Sequence, residues 1–433
     1  MTDKRNSHPL LHGLAWLTTL TTFPLIFLGG IVTSKAGGMS VPDWPNSWGY
    51  NMFLLPLDYW SGNIFYEHAH RLLASLVGFL AVMLTLCAWG PAARPMPRKI
   101  IGFSTLVLTL FTVLLGLTTT QVRPVGTTGS TTLDHITVLF AGLALVSFVA
   151  WLCRHQEPRL WVRWLCTGAL LAVIFQGLLG GLRVVMVKID LAMVHGCVAQ
   201  AFFCVSMLTV IVTGKWWKSA PDLSQASDQR FGRRMVALAM ACMAVVYGQL
   251  IVGAVMRHDQ AGLAIPDLPL AYGKLIPPIS EQGMIEANRF RIALKDPALL
   301  PSQVRLDQVW FHFAHRVGAV VVSCVILLTS GYAMWRLRHR AWVLWPSMVL
   351  LGLLAVQFTL GLATVYYRKP ADIASAHVAT GALVLVTSFV LLTKSMRLYA
   401  KLWRTTPEVA TIPTPGPMQL KRNSDERRLE MSV

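Results

Sequence analysis

The chain has 433 residues, of which 54% are hydrophobic and only 13% charged, about half the roughly 25% usual in globular proteins; its mean hydropathy is +0.54. So little charge cannot cover a water-facing surface, which excludes a cytosolic enzyme, a disordered protein and a nucleic-acid binder and leaves an all-α polytopic membrane protein. The formal net charge of +18 therefore reports topology first, because the Lys and Arg lie mostly in short loops between apolar runs.

Lys4 and Arg5 precede the first apolar run, which has no small-residue cleavage site, so it reads as a retained helix rather than a signal peptide. Crossing ~30 Å of hydrocarbon takes about 20 residues. Ten runs are long enough: 12–33, 68–90, 99–120, 133–153, 163–184, 192–213, 233–256, 310–335, 342–365 and 373–396. Two long loops interrupt them, at 34–67 and 257–309. The polar, Pro-containing tail at 405–433 is expected to be disordered. With the N-terminus in the cytoplasm, 24 of the 38 Lys and Arg fall on the inner side. The positive-inside rule then puts both termini inside and both long loops outside. The seven Cys all sit in or at the edge of apolar runs without a Cys-x-x-Cys pair, so no disulfide framework is expected.

The chain also repeats itself. Gly37-Gly38-Met39-Ser40-Val41-Pro42-Asp43-Trp44-Pro45 in the first long loop matches Ala261-Gly262-Leu263-Ala264-Ile265-Pro266-Asp267-Leu268-Pro269 in the second. Each is followed by a helix that opens with His-Arg, at His70-Arg71 and His315-Arg316. Next comes a helix with Gln and Gly, Gln176-Gly177-Leu178-Leu179-Gly180-Gly181 and Gln357-Phe358-Thr359-Leu360-Gly361. A helix opening with His follows each, His195 and His377, spaced 19 and 20 residues from the Gln. Four coincidences in one order define a duplicated unit. The predicted fold is two pseudo-symmetric four-helix transmembrane bundles, at 1–214 and 230–400, with a helical hairpin inserted at 91–158. That hairpin carries its own pair, Asp134-His135, which reads as a helix N-cap rather than a ligand.

Ionisable groups within a membrane face the bundle interior. His70, His195, His315 and His377 share one depth, and pairs of imidazoles on facing helices suit axial ligation of a heme iron. Capping or bridging of helices at the interface is the other use of such histidines. The glycines, with Ala363, would let a flat macrocycle approach a helix or simply pack helices. Arg71 and Arg316 suit heme propionates or headgroup snorkelling. Glu67 lies one turn before His70, where the second copy has His312. It suits proton transfer beside a heme, and equally a helix-start acid favoured by the dipole.

The duplicated unit, the Glu-x-x-His-Arg opening, the Gln-Gly-Leu-Leu-Gly-Gly-Leu helix and the repeated His-Arg resemble the heme A synthase family over roughly residues 12–90 and 160–396. The resemblance implies a membrane-bound enzyme that oxidises the C8 methyl of heme O to the formyl group of heme A, for cytochrome c oxidase assembly. It implies His70 and His195 as ligands of the substrate heme, Glu67 as the catalytic residue, and His315 and His377 as ligands of a cofactor heme b. It further implies a bacterial inner (plasma) membrane location, and heme O synthase and an electron-transfer protein or quinone as partners. The inserted hairpin and the long second outer loop depart from the family's plan. A di-heme b electron-transfer protein without porphyrin chemistry, or a heme transport or assembly protein, remain the other readings at this point.

Overall fold

Lipid tails are as apolar as leucine, so helices in a bilayer associate through close packing and interhelical hydrogen bonds rather than through a hydrophobic drive. The computed structural model of the chain describes residues 9–122, 129–220, 229–278, 280–299 and 303–399. The expected tail at 405–433 lies outside them. Each of the ten apolar runs forms a helix long and apolar enough to cross a membrane. In chain order the helices are α1 (Pro9–Ser34), α2 (Gly62–Trp89), α3 (Pro95–Val122), α4 (Thr132–Leu152), α5 (Leu160–Met186), α6 (Ile189–Thr213), the short α7 (Lys215–Ser219), α8 (Gln229–His258), α9 (Glu281–Ala293), α10 (Leu306–Arg336), α11 (Ala341–Tyr366) and α12 (Ala371–Leu398). Among the described residues, extended pairing is limited to two isolated bridges.

The helices close into two rings. In the first, α1 packs on α2, α2 on α5, α5 on α6 and α6 on α1; in the second, α8, α10, α11 and α12 make the same circuit. The rings meet where α12 packs on α1 and α6, and α6 packs on α8. One apolar cluster crosses that seam, from Phe203 and Cys204 of α6 to Met235 and Ala239 of α8 and Leu385 of α12. At its outer end the seam is close and polar. A Cβ at Gly30 of α1 would lie 3.1 Å from the Ser375 Cβ of α12. Ser34 and Ser375 hydroxyls are 3.3 Å apart, and Arg257 of α8 donates to the Gly30 carbonyl and to the Ser34 hydroxyl.

The inserted hairpin sits outside this frame. Helices α3 and α4 pack on each other, and only α4 makes substantial contact with the bundle, along α2. Leu106, Leu110, Leu114 and Leu117 of α3, one stripe at helical spacing, are exposed and suited to lipid. Backbone bonds fasten the hairpin at its inner end, Ala92 N–H to the Cys153 carbonyl and Glu157 N–H to the Ala88 carbonyl. Helix α4 starts with a capping box in which Thr131 is the N-cap and Asp134 reaches back to the Thr131 N–H. The expectation that Asp134 itself caps the helix is thus corrected by one turn of geometry: its carboxylate occupies the third helical position. Helix α9, folded within the second outer loop, was not expected. Its single buried cation, Arg291, donates to the carbonyls of Leu263, Ala264 and Leu299.

The Gly30–Ser375 contact predicts that Gly30→Val, which drives a branched side chain into α12, destabilises the protein by about 1–3 kcal/mol. The midpoint of thermal unfolding in detergent should fall accordingly; an unchanged midpoint would mean that the seam is not tightly packed there.

Candidate functional site

The four histidines open their helices at the same end of the molecule, and each is seated in the same way. Its imidazole lies against a glycine of the neighbouring helix. A Cβ would come within 3.0 Å of the His70 ring at Gly29, 3.3 Å of His195 at Gly180, 3.0 Å of His315 at Gly253, and 3.2 Å of His377 at Gly361. The helix pairs are α1 with α2, α5 with α6, α8 with α10, and α11 with α12, two in each ring. Any larger side chain would push the ring aside, so glycine is required by the close approach. This revises the expected use of the glycines. Gly180 and Gly361 make room for imidazoles rather than a macrocycle, Gly181 makes room for the Trp44 ring (2.3 Å from a Cβ), and Gly177 has nothing within 4 Å of its Cβ position. Gly29 and Gly253 escaped the sequence reading. Gly253 was within reach, since it stands four residues after Gln249 as Gly180 does after Gln176.

Within the second ring, His315 and His377 face each other edge to face with centroids 6.4 Å apart. That separation accommodates two metal–nitrogen bonds of about 2.0–2.1 Å each. In the first ring His70 and His195 lie within electrostatic reach of one another. The Nδ1 atoms of His70, His195 and His377 are buried without a hydrogen-bond partner. Unpaired buried nitrogens are costly and rare in folded proteins. Four imidazoles at one depth, two in each ring, fit a pair of bis-imidazole heme sites.

Outside the histidines, each copy clamps its outer loop by one device. Glu67 accepts the Val41 N–H at 2.9 Å and pairs with Arg71 at 3.0 Å. Arg71 donates to the carbonyls of Val41 (2.7 Å), Asp43 (2.6 Å) and Asn46 (3.0 Å). In the second copy, His312 accepts the Ile265 N–H at 3.1 Å, and Arg316, 3.3 Å from the other nitrogen of that ring, donates to the carbonyls of Ile265 and Leu270. Arg71 and Arg316, expected at heme propionates, are thus placed as loop clamps. All four terminal N–H groups of Arg71 already have acceptors, so its guanidinium is committed to the loop. Glu67 is 5% exposed and ion-paired, which removes the solvated helix-start reading.

The loops are built alike further on. Asp43 accepts the N–H groups of Trp48 and Gly49, as Asp267 accepts those of Tyr272 and Gly273. Both acceptor pairs span two positive-φ residues, Trp48 (54°) and Gly49 (75°), Tyr272 (57°) and Gly273 (76°). The repeat therefore runs four residues beyond the motif visible in the sequence. Burial pushes the Tyr272 phenol above its ordinary pKa, and it donates to the Ala264 carbonyl at 2.6 Å.

Two further residues complete the first site. Arg183 of α5 reaches across to the Gly38 carbonyl at 2.9 Å and lies within electrostatic reach of Glu67. The sequence reading missed it, although a lone cation in an apolar run is a signal for such a residue. His135 of the hairpin lies 3.1 Å from the Asn51 side chain, beside a bond from the Asn51 N–H to Ser130. It ties the hairpin to the first outer loop and points at none of the four histidines' glycine seats.

Comparison with known proteins follows the same lines. The family model for cytochrome oxidase assembly protein (COX15-CtaA) matches residues 135–390. The chain is 27% identical to a heme A synthase of Shewanella oneidensis over 50% of its own length and 62% of that protein. It is 28% identical to one of Symbiobacterium thermophilum over 51% of its length and 64% of that protein. It is 24% identical to one of Geobacillus kaustophilus over 84% of its length and 86% of that protein. The first two alignments thus span less than two thirds of the relative.

His135 is predicted to be dispensable for the imidazole sites. His135→Ala should leave the heme extracted from purified protein, measured as the pyridine complex, within about a fifth of wild type. Loss of a third or more of the heme would make the hairpin part of a heme site.

Proposed function

The chain belongs to the cytochrome oxidase assembly protein family (COX15-CtaA), and we propose that it is a heme A synthase, a membrane-bound oxidoreductase that converts the C8 methyl of heme O to a formyl group. The observation that carries this reading is the difference between two clamps built on the same plan. The position of Glu67 needs only an acceptor for a loop N–H and a neighbour for an arginine. The second copy meets both needs with His312, which bears no negative charge. The carboxylate of Glu67 therefore does something the clamp does not require. A symmetric electron carrier has no use for that difference. An enzyme with one reactive and one redox site does.

In this reading the first ring holds heme O between His70 and His195. With water as the source of the oxygen, turning a methyl into a formyl group (R–CH3 + H2O → R–CHO + 4 H⁺ + 4 e⁻) releases protons as well as electrons, and the protons need an acceptor at the outer mouth of the ring. Glu67, one turn from His70, accepts them. Arg71, ion-paired with it, holds the carboxylate in place. The second ring holds heme b through His315 and His377. Bound there, heme b supplies one-electron redox chemistry. The rings correspond to a catalytic unit at 1–214 and a cofactor unit at 230–400. The protein lies in the inner (plasma) membrane with both termini cytoplasmic, receives its substrate from heme O synthase, and passes electrons to a redox protein or quinone.

Two measurements test the assignment. Glu67→Gln keeps an acceptor for the Val41 N–H and removes the basicity. Heme A formation should fall by about 10²–10⁴-fold while heme binding persists, with heme O or a partly oxidised alcohol accumulating. His312→Gln should do far less. Near-normal heme A output from Glu67→Gln would sink the proton-transfer role. Separately, His315→Ala should abolish the low-spin b-type spectrum of the purified protein, and an unaltered spectrum would remove heme b from the second ring.

A further inference from the structure

The arginines that follow the histidines are spent on the outer loops, so the carboxylates of a heme need other cations. Four such groups stand at the outer end of the molecule. Arg183 of α5 lies within electrostatic reach of His70 and His195, the histidines of the first ring. Arg257, near the end of α8, lies within reach of His377 in the second ring and of Lys369, just before α12. His258 stands between the two arginines, within reach of both. The cluster thus runs from one ring to the other across the outer end of the seam. Among the described residues none of the four forms an ion pair with a carboxylate. Glu67, the acid that Arg183 reaches, is already held by Arg71. Like charges gathered at a membrane edge without a counter-charge are costly, and ionisable groups there mark binding sites.

The frame uses little of these side chains. Arg183 gives Nη2 to the Gly38 carbonyl, and Arg257 gives Nη2 to the Gly30 carbonyl and the Ser34 hydroxyl. Among the described residues, Nε and Nη1 of both arginines have no acceptor, whereas every terminal N–H of Arg71 has one. The Lys369 ammonium meets the Gln260 amide oxygen at 3.4 Å. Nor does the repeat require the arginines. Arg257 stands four residues after Gly253, where Thr33 stands four after Gly29. Arg183 stands three residues after Gly180, where Thr364 stands three after Gly361. Both threonine hydroxyls bond back to their own helices, to the Gly29 carbonyl at 3.0 Å and the Leu360 carbonyl at 2.7 Å. Packing is therefore satisfied without a cation at either place. Each ring has one arginine here, taken from helices that do not correspond, and both come within reach of His258.

We infer that Arg183, Arg257 and Lys369, with His258 between the arginines, form a carboxylate-binding site that receives heme propionates, Arg183 serving the first ring and Arg257 with Lys369 the second. The inference rests on the heme reading of the two rings. Charge-assisted hydrogen bonds to a carboxylate use the arginine donors that the frame leaves over. The carboxylates in turn supply the negative charge that the cluster lacks. The same cations bear on redox poise. A positive charge beside a heme opposes the ferric form, which carries one more positive charge than the ferrous.

The test uses the full-length protein purified in detergent with its hemes. The midpoint potentials of the two hemes, from a spectroscopic redox titration, are the first readout. Transfer of heme to apomyoglobin, with the transferred heme identified by chromatography, is the second. Arg257→Gln should lower one midpoint by about 59 mV, a tenfold shift of that heme toward the ferric form. The same variant should speed the transfer of that heme by about tenfold or more. Lys369→Gln should act on the same heme and reads the site where Arg257→Gln does not fold. Arg183→Gln should lower the other midpoint. Arg257→Lys, which keeps the charge, should recover most of the potential. Ser34→Ala removes a seam bond of Arg257 and keeps its charge, so it should leave both midpoints in place. A shift from Ser34→Ala equal to that of Arg257→Gln would make Arg257 a seam contact and overturn its assignment. Hemes present in Arg183→Gln and Arg257→Gln with midpoints and transfer rates unchanged would overturn the inference alone. Purified wild type that retains no heme would overturn the heme reading beneath it.

Discussion

The structure depends on one packing constraint, the seating of an imidazole against a helix backbone at the outer end of each ring. A histidine side chain in the membrane must find room, a partner for each nitrogen, and a fixed direction. Glycine on the neighbouring helix supplies the room, and the same approach brings that helix close enough for its other side chains to reach the ring. The four contacts at Gly29, Gly180, Gly253 and Gly361 therefore set helix separation and ring orientation together. Because each pair spans two helices of one ring, the four contacts also define which helices are neighbours.

The outer loops depend on those helix ends. Arg71 and Arg316 stand one residue after a seated histidine, and so they project from the same place in both rings and gather the same loop carbonyls. The clamp gathers matching backbone carbonyls of each loop, Val41 and Asn46 in one copy and Ile265 and Leu270 in the other. Against that shared background the single exchange of Glu67 for His312 becomes interpretable, because everything around it is held constant by the repeat. Duplication turns each ring into a control for the other.

The inserted hairpin obeys different physics. It contributes no histidine seat and touches the bundle mainly through α4, with ties at its inner end and at Asn51. Two spans keep the downstream helices in the same orientation, so the insertion leaves the second half of the first ring where the repeat requires it.

Much of this was legible in the residues alone. Ten spans follow from run length and hydropathy, which are local properties, and the duplication follows from motifs kept in order. The family resemblance rested on the same motifs, and the four histidines were singled out by their common depth. The rest depended on contacts between residues far apart in the chain. Whether Gly29 faces His70 or lipid is decided by the packing of α1 on α2, and no periodicity within α1 reveals it. Arg71 and Arg316 looked suited to propionates because their sequence neighbour is a histidine; the folded loops, 25 to 51 residues away, claim their donors first. Helix α9 was missed because it is short and polar, and it is held by carbonyls that Arg291 meets only in three dimensions. The sequence by itself determined how many spans there are, that they repeat, and which titratable groups they carry. Only the tertiary structure decided which partner each group meets, because a hydrogen bond or a ring seat depends on distances that the chain sets only once its helices are packed.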